Sequence, residues 1–259
     1  MGTIHTIRTM NGNLLSGLLL KQETIVSQEK SYLVSEYDIE NYGQATYTTD
    51  PLYNGGGFRR ARSMMPFEYI DKTAKDFKWK VYGGKETEEN IKLVNAFVVN
   101  FEEFQKKGKG LYIYSDTRGS GKTMLACCMV NEVVNRRDIS VKFISILDYL
   151  ELTKKSYSSL ADKEERDSIM HTSVLILDDI GVEVSKDWVN TTLYHLINFR
   201  YSNKLVTIIT SNVSIEDLKV DGRIKDRLNA MCIPLQMPEI SIRSQQARQE
   251  NMEFLKSVM

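Results

Sequence analysis

The run Gly119-Ser120-Gly121-Lys122-Thr123 constrains this chain more than any other stretch. It follows the apolar segment Leu111–Tyr114, which reads as a strand. It precedes Lys122–Arg137, which reads as a helix with Leu125, Cys128, Met129 and Val133 on its inner face. A strand, a glycine-rich turn and a helix in that order gather backbone N–H groups and the positive end of a helix dipole around one point, which suits an anion. Lysine and threonine at the helix start complete a phosphate-binding loop. Lys122 is expected to reach the β- and γ-phosphates of a nucleotide, and the Thr123 hydroxyl to ligate Mg²⁺. The nucleotide-binding residues are expected to be Thr117, Arg118, Gly119, Ser120, Gly121, Lys122, Thr123 and Met124. One position departs from G-x-x-x-x-G-K-[ST], because Asp116 stands where the first glycine belongs. Aspartate tolerates the left-handed backbone better than most residues, so the loop is expected to close. Taken alone, so short a run also fits an ordinary glycine-rich turn.

A second feature narrows the choice. Val174-Leu175-Ile176-Leu177-Asp178-Asp179 is an apolar strand ending in two carboxylates. A carboxylate at the end of a buried strand beside the loop is where a magnesium ion needs a partner, so Asp178 is the expected metal residue with Thr123. Asp179 would orient and polarise the attacking water. Thr210-Ser211-Asn212 ends the next strong strand, and the Asn212 amide can bridge that water and the γ-phosphate. A strand-end turn or helix cap explains those three residues equally well. Arg227, within Gly222–Leu228, is of the type that stabilises charge on a transferring phosphoryl group and can come from a partner subunit. A solvated helix face explains it as well, and the same holds for Arg243.

The remaining texture supports an α/β sandwich. Asn90–Phe104 reads as one helix, Val141–Ile146 and Leu205–Thr210 as strands, and Leu147–Tyr157 and Trp188–Arg200 as helices. Short apolar strands alternating with amphipathic helices imply a parallel sheet covered on both faces. Ile4–Leu20 is compatible with a strand pair or a short helix, and Tyr42–Phe58, with Gly55-Gly56-Gly57, reads as loop or linker. A boundary is expected near residue 60, with residues 1–60 as a separate partner-binding segment and 61–259 as the nucleotide domain. Formal net charge is +0 over 259 residues, so any contact with nucleic acid must come from a local patch. Lys154 and Lys155 are candidates for one. The 3 cysteines, Cys127, Cys128 and Cys232, form no C-x-x-C pair and read as buried thiols in a cytoplasmic protein. Leu14–Leu20 is too short to span a bilayer.

These pieces occur together and in order, and the sequence resembles the DnaC/DnaI-type replicative helicase loaders. That branch of the AAA+ ATPases also holds the IstB-type transposition ATPases. The resemblance runs from about Met65-Pro66 to Arg243 and includes Asp76-Phe77, Gly119–Thr123, Leu175–Glu183, Thr210–Asn212, Asp226-Arg227-Leu228 and Ser241-Ile242-Arg243. It implies a three-layer P-loop NTPase core with a reduced or absent helical lid, since few residues follow Arg243. It also implies ATP and Mg²⁺ as ligands, with Lys122 and Thr123 as the Walker A pair and Asp178 and Asp179 as the Walker B pair. Asn212 corresponds to sensor 1, Arg227 to an arginine finger reaching a neighbour's ATP, and Arg243 to sensor 2. A hexameric replicative helicase, single-stranded DNA and further copies of the chain are the implied partners. Two other readings stay open: an IstB-like helper of a transposase, and a nucleotide-gated adaptor with little turnover, since Asp179 is shorter than the glutamate usual in AAA+ proteins.

Overall fold

The computed structural model describes residues 63–137, 139–181, 187–243, 251–252, 254–256 and 258, together with the backbone of four strands nearer the N-terminus. Those strands are β1 (Ile4–Arg8), β2 (Leu14–Ser27), β3 (Lys30–Ile39) and β4 (Gly43–Thr48), and they pair in order as an antiparallel sheet. Of the two options for Ile4–Leu20, strand pairing holds. The linker expected from Tyr42 to Phe58 is corrected at Gly43–Thr48, which alternates well enough to add a fourth strand. The boundary near residue 60 lies outside the described residues, as do Val182 and Glu183.

From residue 63 onward the chain builds one parallel sheet. Its strands are β5 (Gly110–Tyr114), β6 (Val141–Ser145), β7 (Val174–Ile180), β8 (Val206–Ser211) and β9 (Cys232–Gln236), in spatial order β6-β7-β8-β5-β9. Period-two alternation splits their side chains between two cores. Leu111, Ile113, Val174, Ile176, Val206 and Ile208 face one side, where α1 (Lys85–Val99), α2 (Phe101–Lys107) and α3 (Lys122–Arg136) cover them. Tyr112, Leu175, Leu177 and Ile209 face the other, under α4 (Ile146–Lys155), α5 (Leu160–His171), α6 (Asp187–Ser202) and α7 (Gly222–Met231). A sheet buried on both faces explains why β7 and β8 read as continuous apolar runs.

The single helix expected over Asn90–Phe104 is two helices. Asn100, at φ −101° and ψ 28°, interrupts it. Just past the break Phe101 is fully buried and meets Phe97 edge-to-face at 5.6 Å, with Phe104 on Phe97 at 4.9 Å. On the opposite face a single cation ties α5, α6 and β8. Arg200 is fully buried and donates to Thr207 Oγ1 at 2.9 Å, to the carbonyls of Met170 and Thr172 at 3.0 Å, and to that of Val206 at 2.7 Å. Burial pulls its guanidinium down to about 9. Cys127, Cys128 and Cys232 are free and buried, and burial raises each thiol. Among the described residues no helix is long and apolar enough to cross a membrane.

Candidate functional site

In an open parallel sheet, ligands bind beyond the carboxyl ends of the strands. Here the neighbours β7, β8 and β5 deliver Asp178 and Asp179, Thr210 with Asn212, and the loop 115–121 to one edge. The loop turns on Gly119 at φ 76° and Gly121 at φ 87°, conformations that favour glycine. A Cβ on Gly121 would stand 2.7 Å from the Tyr82 hydroxyl, which itself donates to the Ser120 carbonyl at 2.7 Å. Asp116 does not adopt the left-handed backbone allowed for it, since it has no positive φ, and its side chain is exposed.

Lys122 lies over this loop. Its ammonium donates to the carbonyls of Ser115 and Thr117 at 3.1 Å and to Ser120 Oγ at 3.3 Å. Burial lowers its pKa, against the pull of Asp179, Glu239 and Asp178. Next to it, Thr123 Oγ1 donates to Asp178 Oδ1 at 2.9 Å, and Thr210 Oγ1 donates to the same oxygen at 2.5 Å. Burial raises the Asp178 carboxyl, and the hydroxyls of Thr210 and Thr123 only partly offset it.

Regular pleating would send Asp178 and Asp179 to opposite faces. The register of β7 on β8 slips between Leu177 and Ile180: Leu177 pairs with Ile209, but Ile180 pairs with Ser211, so β7 holds one extra residue. Asp179 occupies the bulge in left-handed conformation, φ 57°. Its N–H donates to Thr210 Oγ1 at 2.9 Å, and its Oδ1 accepts from Asn212 Nδ2 at 2.9 Å. Thr210 thus supports both aspartates, a role its sequence position beside Asn212 did not suggest.

Arg243 is brought to the loop from the far end of the sequence. Its N–H donates to the Gly119 carbonyl at 3.2 Å, and a Cβ on Gly119 would lie 2.9 Å from that of Arg243. Tyr69 of the entry segment is raised to about 12, first by burial and then by Glu68, while Arg243 pulls it the other way. Asn131 of α3 anchors that segment through the carbonyls of Tyr69 and Lys72. Arg227 is placed elsewhere. It donates to Asn198 Oδ1 at 3.2 Å and covers the Tyr201 ring at 5.1 Å, both on α6.

The donor set fits a nucleotide with magnesium. The Thr123 hydroxyl and the Asp178 carboxylate are hard oxygen donors 2.9 Å apart. Among the described residues no group of three or more His, Cys, Asp and Glu forms a protein-only cage. Magnesium, which takes one or two protein oxygens and completes its shell with water and phosphate, suits such a pair.

The profile of the family described as "IstB-like ATP binding protein" matches residues 103–250. The chain belongs to this family of AAA+ ATPases. This IstB-like chain is 32% identical over 127 residues to the replicative helicase loader DnaI of Bacillus subtilis, a match covering 49% of this chain and 40% of DnaI. It is 26% identical over 142 residues to the phage-like element PBSX protein XkdC of the same organism, covering 52% and 53%. The chain therefore spans about half the length, or less, of these curated relatives. The crystal structure of DnaI superposes with a TM-score of 0.56 at 27% identity, over 67% of this chain and 95% of that one. The α/β fold with its parallel five-stranded sheet is that of the AAA+ ATPases.

Proposed function

We propose that the chain hydrolyses ATP between subunits and uses the cycle to load a hexameric replicative helicase onto single-stranded DNA. The observation that carries the proposal is the chain of contacts Thr123–Asp178–Thr210–Asp179–Asn212 beside the lysine-bearing loop. In this reading residues 117–124 hold the triphosphate, and the Lys122 ammonium turns from Ser115 and Thr117 to the phosphate oxygens. Thr123 and Asp178 would hold Mg²⁺, which would supply charge neutralisation for the phosphates when bound. Asp179, fixed by Asn212, takes the proton of the attacking water. Arg243 serves the ATP of its own subunit. Arg227, parked on α6, faces the ATP of a neighbour in a homo-oligomer.

The similarity to the replicative helicase loader DnaI supports the helicase as partner, and single-stranded DNA and a cytoplasmic setting belong to the same reading. In this reading residues 61–259 are the ATPase domain, and residues 1–60, which match no helicase-binding domain, are the partner-binding segment. Lys154, which lies over the Trp188 ring at 4.5 Å, is the better candidate for DNA contact. Lys155 is engaged by Glu151 at 2.7 Å. The test is loading of the helicase onto a closed single-stranded circle with wild type and Asp179→Asn. The wild type is expected to stimulate loading with ATP turnover, and Asp179→Asn to stop turnover. No binding to the helicase and no stimulation would sink the loader reading. The similarity to a phage-element protein favours a second reading, a helper ATPase acting on another DNA-bound client such as a transposase. A pull-down with residues 1–60 deleted separates the two by what is lost. Turnover abolished by Asp179→Asn rules out the pure nucleotide-gated adaptor, and no turnover by wild type with single-stranded DNA would leave it.

A further inference from the structure

After β9 the chain stays beside the loop that follows β5, as a strap from Met237 to Arg243. The Met237 N–H donates to the Tyr114 carbonyl at 2.7 Å, and the N–H groups of Ile242 and Arg243 donate to that of Gly119 at 2.9 and 3.2 Å. Between these two ties, Glu239 Oε1 accepts the N–H of Asp116 at 3.0 Å. Burial pushes the Glu239 carboxyl up. The nearby Thr117 hydroxyl, the Asp116 N–H that it accepts and the nearby Ser115 hydroxyl outweigh burial and leave the carboxyl below its ordinary range. One carboxylate of the strap thus holds the Ser115–Asp116 peptide at the mouth of the loop.

The far end of the loop is shaped by Gly119, Gly121 and Tyr82. At the mouth Asp116 has no positive φ and an exposed side chain, and the Thr117 N–H donates to Ser115 Oγ at 3.2 Å. We propose that Glu239 is a positioning residue for the nucleotide site, holding residues 115–117 in the shape that the phosphates of ATP require. The proposal rests on reading this loop as the ATP site. Glu239 takes the Asp116 N–H, ahead of residues 117–124, so carboxylate and phosphate occupy different donors. The peptide it holds, Ser115–Asp116, presents one of the two carbonyls that accept from the Lys122 ammonium, and Thr117, the next residue, presents the other. Glu239 therefore sets the starting point from which Lys122 is delivered. A mouth already ordered in the free protein spares that ordering when ATP binds.

Titration of the whole chain with a fluorescent ATP analogue tests this. Binding by wild type that disappears in Lys122→Ala is the control for the site. No binding by wild type would overturn both the site and the inference. Glu239→Ala is expected to weaken binding about tenfold, and Glu239→Gln, which keeps one acceptor oxygen, about threefold. In turnover assays KM for ATP should rise by the same factors while kcat at saturating ATP stays within about twofold. Wild-type affinity in Glu239→Ala would overturn the inference while leaving the site intact. A fall in kcat at unchanged KM would also overturn it, because Glu239 would then belong to the chemistry. If the alanine variant does not fold, the glutamine variant decides, and affinity equal to wild type refutes the inference.

Discussion

Thr210→Val isolates what one hydroxyl does for the two aspartates. Thr210 is 2% exposed, and its Oγ1 gives one hydrogen bond to Asp178 and takes one from the Asp179 N–H. Valine keeps the shape and removes both. A bond to a charged acceptor contributes about 1.5–3 kcal/mol, and an N–H left without a partner loses about 1 kcal/mol more where water has partial access. The added methyl returns about 1 kcal/mol of apolar burial. The net loss is about 2 kcal/mol, or a fall of roughly 4–8 °C in Tm for a domain of this size. Thr210→Ser keeps the hydroxyl and gives up only a methyl, about 1 kcal/mol. The distinguishing result is in ATP turnover, where valine should reduce kcat at least about tenfold while serine stays near wild type. Urea denaturation and a coupled phosphate-release assay on both variants measure the two effects. Equal loss of stability, with turnover intact in both, would refute the claim that Thr210 holds the acids.

Three further outcomes follow from the same geometry. Burial raises the Asp178 carboxyl, so the folded chain keeps this proton above the pH at which the unfolded chain releases it, and stability falls as pH rises through the folded value. Asp178→Asn removes that loss: without nucleotide it should melt above wild type at about pH 7.5, and the gain should vanish below the ordinary aspartate value of about 3.9 in a pH series of thermal melts. Arg200→Lys leaves buried carbonyls of α5 and β8 without donors, since an ammonium has fewer hydrogens in a different geometry, and should destabilise by about 3 kcal/mol in urea titration. Gly121→Ala should weaken binding of the ATP analogue about tenfold or more. Adding Tyr82→Phe removes the oxygen 2.7 Å from the new Cβ but not the φ of 87°, so recovery of full affinity in the double variant would refute backbone strain as the cause.

The central elements were legible because burial on both faces leaves a plain mark. Val174–Leu177 and Leu205–Thr210 contain no residue that a dry sheet rejects. Other elements left weaker marks. β9 carries Pro234, which argues against a strand in sequence, yet β9 is an edge strand bonded only to β5, and an edge has room for a residue without an N–H. α5 buries only Ile169 and Met170, so its periodicity is nearly all charge. The break at Asn100 left no mark, because Phe97, Phe101 and Phe104 keep helical spacing across it. At the site, motif spacing finds Lys122, Asp178 and Asn212, because each closes its own strand–turn unit. Thr210 and Glu239 act through neighbours far away in sequence, and no local pattern announces them.

The left-handed backbone at Asp179 bears on why the second acid is an aspartate. Among residues with a side chain, asparagine and aspartate enter that conformation most readily, and a longer, unsupported glutamate less so. In a strand without the bulge, glutamate would reach further toward a water at no conformational penalty. Here the extra residue of β7 turns the backbone first, and the carboxylate needs only a short stem to meet Asn212. The shorter acid is then no sign of an enfeebled enzyme. It is the acid that a dihedral angle permits, and exchanging it for glutamate without straightening the strand would lengthen the arm while unsettling the shoulder.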